Sequence, residues 1–495
     1  MSEGTSVNTD VVGWPDPDSA YFAVRRMQTK LHCWAGEDGA RRFGDLYNLV
    51  YDPSFLVHAW ERVAKNKGSR TAGVDKATVA WIETRIGVEE FLGHIRDLLR
   101  SGTFEPMEVR QILIPKKSGK LRKLGIPTVA DRIVQASLKA VLEPIFEADF
   151  LPCSYGFRPN RRTHDAIAEI HHLSSGPCKY HWVLECDVKA CFDEISHAAL
   201  MERVRARIKD KRVCSLVKAF LKSGVMTATG DREETYSGTP QGGILSPLMA
   251  NIALSALDEY FDRQWRQDMG TDYRRTKRRK LGLGNWRIIR FADDFVLMVD
   301  GERLHAEALR EQVATVLASL GLRLSPEKTR VVHINEGFTF LGFDIRRMRK
   351  RGTQKCYVYT KPSKKAIQAI KDKVKEKTYR STRHMNVDEL LITLNRTLAG
   401  WARYFRYGVS KEVFNAVDYH AWGRIMRWIR GKYKRGNNRI GMAELRRRFC
   451  GVGWRFAYNG VVFTGASSVA VSRYRYRGYT IPTPWTPKPA ADTLG

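Results

Sequence analysis

The sequence predicts an α+β fold, and two observations support that prediction. Apolar runs flank the carboxylates of Asp187 and of the adjacent pair Asp293 and Asp294, which indicates buried strands. Further along the chain, apolar residues recur at the spacing of amphipathic helices. We therefore expect a region of mixed strands and helices, followed by a helical region that begins at about residue 355.

The N-terminal part is predicted to be an irregular leader followed by helices. Asp52 and Pro53 mark the start of one helix, because aspartate caps helices and proline is favoured at the first helical position. A polar, glycine-containing loop at 66–75 separates these helices from the first strands. The segments 109–115 and 121–127 are predicted to pair as a β-hairpin.

Three carboxylates are candidates for a reactive site. Asp293 and Asp294 lie at the tip of a predicted hairpin, and Asp187 ends an apolar strand about a hundred residues earlier. Burying an unpaired carboxylate is costly, so such positions indicate a neutralising cation. Carboxylate oxygens suit Mg²⁺, and two Mg²⁺ ions bridged by carboxylates can transfer a nucleotide to a 3′-oxygen. For each residue taken alone, a solvated turn is the alternative.

Two loops are candidates for holding a nucleotide beside these carboxylates. The turn of the first hairpin is basic, and its cations can bind the triphosphate of an incoming nucleotide. Its candidate residues are Lys120, Arg122 and Lys123. The glycine-rich loop at 238–242 precedes a predicted helix, and its glycines let the backbone approach a ligand, with Gln241 as the candidate contact. A solvated turn and a plain connector are the respective alternatives.

Basic residues also form a run at 273–280, which cannot belong to a core. We expect this run to contact nucleic-acid phosphates, with a solvated insertion as the alternative. Its candidate contacts are Arg274, Arg275 and Arg278. The segment 473–479 alternates arginine and tyrosine at strand period, which predicts either a strand that stacks on bases or an edge strand with ordinary packing. The final residues, Pro482 to Gly495, are proline-rich and are expected to be unstructured at the end.

Two amphipathic helices are predicted in the C-terminal part. Asn386 and Glu389 have the spacing of a capping box at the start of the first helix. The predicted core positions are Leu390, Leu394, Leu398, Trp401 and Phe405 in the first helix, and Phe414, Val417, Ile425, Trp428 and Ile429 in the second. The exposed side of the second helix is basic, which suggests RNA or a template–primer duplex. Its candidate contacts are Arg424, Arg427 and Arg430.

Composition indicates a nucleic-acid-binding protein. The 495 residues include 84 lysines and arginines against 53 acidic residues, for a formal net charge of +31 and a pI near 9.9. No apolar run approaches the ~20 residues of a membrane-spanning helix, and no signal peptide is evident, so a cytoplasmic location without membrane contact is expected. The eight cysteines include no Cys-x-x-Cys pair, which indicates reduced thiols rather than disulfides or zinc ligands.

Five motifs, in order, resemble those of reverse transcriptases. They are Asp187 in its strand and the segments 238–242, 291–294, 320–329 and 338–343. More narrowly, the segment 154–159 and the helical segment around Trp401 resemble those of bacterial group II intron-encoded reverse transcriptase/maturase proteins. The resemblance covers roughly residues 45–485.

The resemblance implies a right-hand polymerase fold with fingers, palm and a helical thumb that is also the maturase domain. The implied regions are an RNA-binding N-terminal extension at 1–65, fingers at 66–180, a palm at 181–350 with a basic insertion at 262–287, the thumb at 355–435, and a basic C-terminal region at 436–495. By the same resemblance, Asp187, Asp293 and Asp294 hold two Mg²⁺ ions. The implied partners are group II intron RNA, an RNA template with a DNA primer, target DNA and deoxynucleoside triphosphates.

Phe192 lies five residues after Asp187, where reverse transcriptases carry an aromatic gate against a ribose 2′-hydroxyl. The resemblance therefore implies deoxynucleotides as substrates. Phe291 stands where many family members have tyrosine, and only a ring hydroxyl is lost by that difference. No paired cysteines of a His-Asn-His endonuclease are seen in the C-terminal region, so we expect the DNA primer to come from another source, such as a replication fork.

Two other functions fit the same motifs. A non-enzymatic RNA-binding maturase or chaperone would have lost polymerisation, although the three aspartates that polymerisation needs are all present. A domesticated group II-like reverse transcriptase would keep the chemistry but serve defence or repair. The protein sequence hardly separates this last function from that of an intron-encoded enzyme.

Overall fold

The computed structural model describes residues 13–115, 121–175, 180–227, 230–434, 438, 440–478 and 480–486. The chain begins with helices that pack together before the first strand. They are α1 (Pro17–Glu37), α2 (Tyr47–Val50), α3 (Pro53–Ala64), α4 (Val79–Arg85) and α5 (Val88–Ser101). The predicted cap of α3 is confirmed, because the Asp52 carboxylate accepts hydrogen bonds from the first-turn amides of that helix.

A four-stranded sheet of order β2-β1-β4-β5 follows these helices. Its strands are β1 (Val109–Pro115), β2 (Leu121–Ile126), β4 (Val225–Met226) and β5 (Arg232–Glu233). The antiparallel pairing of β1 with β2 confirms the predicted hairpin, and β4 runs parallel to β1. Two helices come between β2 and the next strand of the chain, and they are α6 (Val129–Asp149) and α7 (Thr163–Ser174). Helix α6 is buried along most of its length and packs on α1 and α3.

The central sheet is antiparallel and has the order β6-β7-β3-β8. Its strands are β3 (Trp182–Asp187), β6 (Asn285–Phe291), β7 (Asp294–Asp300) and β8 (Arg330–His333). Alternate residues of β7 face two different cores. Phe295 and Leu297 pack with the N-terminal helices, whereas Val296 and Met298 pack with the C-terminal helices. Because both faces are covered, the strand is apolar at every one of these positions.

Several helices lie on the side of the central sheet where the N-terminal helices also lie. They are α8 (Cys191–Glu194), α9 (His197–Arg207), α10 (Lys211–Lys222), α11 (Ser246–Gln264), α12 (Asp272–Lys280) and α13 (Arg303–Ser319), with a π-helical turn at Trp265–Met269. The apolar faces of α9, α10, α11 and α13 contribute to the same core as α1 and α6. Helix α12, in contrast, contains no buried residue, which agrees with the expectation that its basic run lies outside the core.

The C-terminal part contains a three-stranded sheet of order β11-β10-β9, a helical bundle and a small hairpin. The strands are β9 (Phe338–Phe340), β10 (Phe343–Arg349), β11 (Cys356–Pro362), β12 (Ala457–Tyr458) and β13 (Val461–Val462), and the helices are α14 (Lys364–Lys377), α15 (Val387–Phe405), α16 (Lys411–Lys432) and α17 (Met442–Phe449). The expected start of the helical region near residue 355 is wrong, because the alternating residues Val358 and Thr360 bury one face of β11. The capping box of α15 is confirmed.

The segment from Ala466 to Thr486, called the tail below, forms no strand within its described residues. The Tyr474 hydroxyl donates to the Asp165 carboxylate on α7 at 2.9 Å, and Tyr476 stacks on His172 of α7 at 4.6 Å between ring centroids. The predicted strand in this segment is therefore wrong. Its tyrosines pack on the protein, as in the alternative of ordinary tyrosine packing.

The tail continues to helix α1, which lies far from it in sequence. The Trp485 side chain is buried, and its indole Nε1 donates to Gln28 Oε1 on α1 at 3.1 Å. Residues 482–486 thus pack on the protein, because the apolar indole ring gains burial against α1. The prediction of an unstructured end concerns the residues that follow them. Residues 487–495 lie outside the described part of the chain.

Two predictions from composition can be compared with these elements. The seven described cysteines are all free thiols, as the absence of paired cysteine motifs indicated. Among the described helices, none is both long enough and apolar enough to cross a membrane.

Candidate active site

The β6–β7 hairpin places two of the three candidate carboxylates beside the third. Its turn consists of Ala292 and Asp293, and Asp294 is the first residue of β7. In the register of the central sheet, Asp294 lies directly opposite Asp187, the last residue of β3. Ala292 has a φ of +58°, a left-handed conformation that is uncommon for residues other than glycine. Three carboxylates thus lie at one end of adjacent strands.

A fully buried arginine supports this turn from inside. The Arg290 guanidinium donates to both carboxylate oxygens of Asp258 on α11, with a 2.8 Å bond from Nε, and neither side chain is exposed to solvent. Its Nη1 donates to the Ala292 carbonyl and to Asn251 Oδ1, each at 3.0 Å, and its Nη2 donates to Ser154 Oγ at 2.7 Å. Because the guanidinium is planar and rigid, this set of bonds fixes the turn relative to α11.

A close backbone approach completes the support of the turn. A Cβ on Gly156 would lie 2.2 Å from the Ala292 backbone nitrogen, so only glycine fits at this position. The Tyr155 amide donates to the Arg290 carbonyl at 2.8 Å, and Asn251 Nδ2 donates to the Gly156 carbonyl at 2.8 Å. Neither Arg290 nor Asp258 was predicted from the sequence to have a role at the site. The available signal was an arginine that directly follows the apolar residues Ile288 and Ile289 in a predicted buried strand.

The three carboxylates share an excess of negative charge. Burial and repulsion from Asp187 raise the pKa of Asp293. Desolvation by the surrounding protein, together with repulsion from Asp293 and Asp187, raises the pKa of Asp294 to about 6. Asp294 is nevertheless exposed at the surface, so we rest the direction of this shift mainly on the repulsion. Lys328 Nζ donates to the two oxygens of Asp187 at 2.9 and 3.1 Å. The positive charges of Arg122 and Arg290 also act on Asp293. These cations neutralise the site only in part, because the pKa values of Asp293 and Asp294 stay raised, so the site can accept further positive charge.

Hard oxygen ligands that repel each other are a donor set that fits Mg²⁺. Within the described residues, however, no three carboxylate, histidine or cysteine side chains already converge as a metal cluster. The Asp187 carboxylate is turned to Lys328 instead. The strands bring the three aspartates together at the level of the backbone, and their side chains must reorient to share an ion.

A cavity of about 320 Å³ lies between the β1–β2 hairpin and the segment that follows Asp187, and its lining includes the acidic residues Asp193, Glu233 and Glu234. Phe192, Gln241 and Lys123 contribute to its lining. Arg122 Nε donates to Gln241 Oε1 at 2.9 Å, and Gln241 Nε2 donates to both carboxylate oxygens of Asp193 at 3.3 Å. The structure therefore brings the candidates Arg122, Phe192 and Gln241 together. Lys120 lies outside the described residues.

The glycine-rich loop fixes the position of Phe192 and of the hairpin. The Thr239 amide donates to the Phe192 carbonyl at 2.6 Å, and a Cβ on Gly238 would lie 2.5 Å from that same oxygen. On the other side of the loop, the Gly125 amide of β2 donates to the Gln241 carbonyl at 2.8 Å. The loop thus connects Phe192 to strand β2, which carries Arg122 and Lys123.

The candidate phosphate contacts of α12 are engaged with protein carbonyls. Arg274 donates to the carbonyls at 266 and 267, Arg275 to the carbonyl at 269, and Arg278 to the carbonyl at 284. These bonds hold α12 against its flanking loops. Tyr273, which is 76% exposed, and the exposed Lys277 and Lys280 lie at helical spacing on the outer side.

The candidate contacts of α16 differ in exposure. Arg424 donates to Thr378 Oγ1 at 2.9 Å, and to the Thr378 carbonyl at 3.0 Å. Arg427 is exposed, and Arg430 is half-buried. All ten predicted core positions of α15 and α16 are buried or partly buried, which confirms the amphipathic pattern. Residues 424, 427 and 430 thus border a basic surface over an apolar core.

Paired carboxylates at a hairpin tip and a third carboxylate on the adjacent strand are the arrangement that template-directed nucleotidyl transferases use. A cavity lined by Phe192, Gln241 and Lys123 lies near this site. Two family models match the chain and refine that class. Residues 114–345 match "Reverse transcriptase (RNA-dependent DNA polymerase)", and residues 367–449 match "Group II intron, maturase-specific domain".

Relatives agree with these matches. Protein YkfC of Escherichia coli is 38% identical over 69% of this chain and 93% of its own length. The group II intron-encoded protein LtrA of Lactococcus lactis is 34% identical over 63% of this chain and 58% of its own length. An uncharacterized 91 kDa protein in the cob intron of Schizosaccharomyces pombe is 29% identical over 62% of this chain and 43% of its own length. The chain belongs to the group II intron-encoded reverse transcriptase/maturase family, which makes it an RNA-directed DNA polymerase with a maturase domain.

Proposed function

We propose that the protein copies RNA into DNA with two Mg²⁺ ions held by Asp187, Asp293 and Asp294, and that it binds a group II intron RNA to assist splicing and mobility. The observation that carries this mechanism is the meeting of three mutually repelling carboxylates at one end of β3 and β7. Bound at these carboxylates, the ions would activate the primer 3′-hydroxyl and stabilise the leaving pyrophosphate.

The neighbouring residues position the deoxynucleoside triphosphate. Lys123 lines the cavity from the β1–β2 hairpin, and Arg122 bonds to Gln241, which also lines it. Both residues supply charge for the triphosphate, together with Lys120 from the turn. Gln241 holds Arg122 before the nucleotide arrives. The ring of Phe192 closes the side of the cavity where the ribose 2′-hydroxyl would project, which selects deoxynucleotides.

The elements support a right-hand layout around this centre. The helices of 1–65 form the N-terminal extension, 66–180 the fingers, 181–350 the palm, and 355–435 the thumb. The outer sides of α12 and α16 contact the intron RNA or the template–primer duplex, and the insertion at 262–287 carries α12. We assign the phosphate contacts of α12 to Lys277 and Lys280 in preference to its arginines at 274, 275 and 278. Those three arginines already donate hydrogen bonds to backbone carbonyls. Target DNA is the acceptor of the copied sequence.

Primer extension by the purified chain tests this function. We expect synthesis of cDNA on an RNA template with a DNA primer, and loss of that synthesis when Mg²⁺ is chelated. Binding of the RNA template should survive chelation, since the basic surfaces do not require the ions. RNA binding without any extension in Mg²⁺ would contradict the polymerase and favour a non-enzymatic maturase.

Substitution of Phe192 by alanine should relax discrimination against ribonucleotides. Removing the ring opens the cavity wall, and we expect the selectivity for deoxynucleotides to fall about tenfold or more. The comparison is kcat/KM for a deoxynucleotide and for the matching ribonucleotide. Phe192→Tyr keeps the ring and serves as the control. Unchanged sugar selectivity in Phe192→Ala would rule out the gate.

A further inference from the structure

An open groove of about 560 Å³ lies at the end of the maturase domain, away from the residues assigned above. It is formed by α17 and by the short turn that follows it, Val452–Trp454. Arg446, Arg447 and Trp454 contribute to its lining. Its volume lies in the range of sites that hold a small ligand or one nucleotide. The maturase family match ends at residue 449, before this turn.

The groove contains a preformed flat platform. The Arg446 guanidinium lies over the Trp454 ring, with 4.9 Å between the guanidinium carbon and the ring centroid. Arg446 itself is exposed, so the outer face of this stack is open to a ligand. Arginine and tryptophan faces are surfaces on which unpaired nucleobases stack.

The backbone holds Trp454 in an unusual conformation. Gly453 and Trp454 have φ values of +68° and +61°, and bulky residues rarely adopt this left-handed region. The conformation is maintained by Trp422, whose Nε1 donates to the Trp454 carbonyl at 3.0 Å. The Gly451 amide closes the turn on the Arg455 carbonyl at 2.8 Å. Strained residues of this kind concentrate at ligand-binding sites.

The charge of the groove favours a polyanion. Among the described residues of α17, ion pairing is confined to Arg448 and Glu444. Arg446 and Arg447 line the groove without a described carboxylate partner. A protein or peptide partner would need acidic groups at both arginines. A nucleotide offers a phosphate and a flat base together.

We propose that this groove binds one unpaired nucleotide of RNA, with the base stacked on the Arg446–Trp454 platform and a phosphate beside Arg447. The proposal rests on the RNA binding described under the proposed function and adds a defined subsite to it. It assigns single-strand recognition to α17 and its turn, and leaves duplex binding to the other basic surfaces.

Binding of labelled RNA to the full chain at fixed salt tests the proposal. The probes are an unstructured oligouridine, an unstructured oligoadenosine and an RNA duplex of the same length. Trp454→Gly removes the ring while fitting the left-handed backbone, and Arg446→Lys keeps the charge without the flat stack. Arg455→Ala is the matched control, because it removes one exposed positive charge next to Trp454. Unfolding midpoints verify that each variant is folded.

We expect Trp454→Gly to weaken single-strand binding by about 5- to 150-fold, the range for loss of one stacked base, and to leave duplex binding within about twofold. Arg446→Lys should give a smaller loss with the same preference. Equal weakening by Arg455→Ala, or equal losses on duplex and single strand, would overturn the platform. If wild type binds RNA and both Trp454→Gly and Arg446→Lys bind it equally well, the stacking platform would be contradicted. The proposed function would then still stand. Absence of RNA binding by wild type would overturn the proposed function as well.

Discussion

Asp293→Asn should reduce cDNA synthesis by at least about a hundredfold, which is the scale of loss when one group that stabilises transition-state charge is removed. Asparagine keeps the shape of the side chain and one oxygen, but it cannot contribute negative charge to a shared Mg²⁺ ion. The variant should remain folded. Burial and Asp187 raise the pKa of Asp293, so the negative charge itself is unfavourable in the folded protein.

The measurements for Asp293→Asn are single-turnover primer extension and thermal unfolding. Glu185→Gln is a matched control, because it removes a carboxylate from the same sheet at a position that pairs with Arg330. That control should extend primers at close to the wild-type rate. Wild-type extension by Asp293→Asn would show that the hairpin aspartate is not a metal ligand. RNA binding should be retained by Asp293→Asn, which separates the maturase surface from the polymerase centre.

Arg290→Met should destabilise the protein by about 3–5 kcal/mol, the usual result of leaving one charge of a buried pair uncompensated. Asp258 would remain fully buried without its partner. The same change removes the donor to the Ala292 carbonyl, so the turn that carries Asp293 would lose its internal support. Primer extension should therefore fall even at temperatures where the variant is folded.

A double variant separates these two effects. Arg290→Met with Asp258→Leu replaces the buried pair by apolar side chains, and such replacements often restore stability. We expect the free energy of unfolding to recover in the double variant, while primer extension stays low because no donor reaches Ala292. Denaturant unfolding and primer extension on the two variants provide the comparison. Recovery of both properties would mean that Arg290 is only a counter-ion for Asp258.

The sequence predicted the central strands and the three aspartates because the relevant signals are local. A strand buried on both faces is apolar at consecutive positions, and β7 shows this pattern directly beside Asp294. The roles of Arg290 and Asp258 could not be predicted in the same way. The two residues are 32 positions apart, and an arginine in a strand normally indicates an exposed position.

The wrong prediction of a strand at 473–479 also has a physical explanation. Alternating arginine and tyrosine residues suit a strand, but they equally suit an extended segment whose side chains find partners elsewhere. For Tyr474 that partner is Asp165, 309 positions earlier in the sequence. Likewise, the pairing of Lys328 with Asp187 joins residues 141 positions apart. The periodicity of side chains in a sequence indicates the secondary structure of a segment. It does not indicate which distant residues the segment packs against.

The contact of Trp485 with Gln28 has a consequence for how the protein is made. The two residues are 457 positions apart, so α1 leaves the ribosome long before its last partner is synthesised. Until then, the surface of α1 that receives the indole ring remains open to water or to chaperones. Contacts of such long range form slowly and late in folding. The strands of the central sheet are thus synthesised well before the tail, whereas the contact between α1 and the tail forms only after residue 485 has emerged.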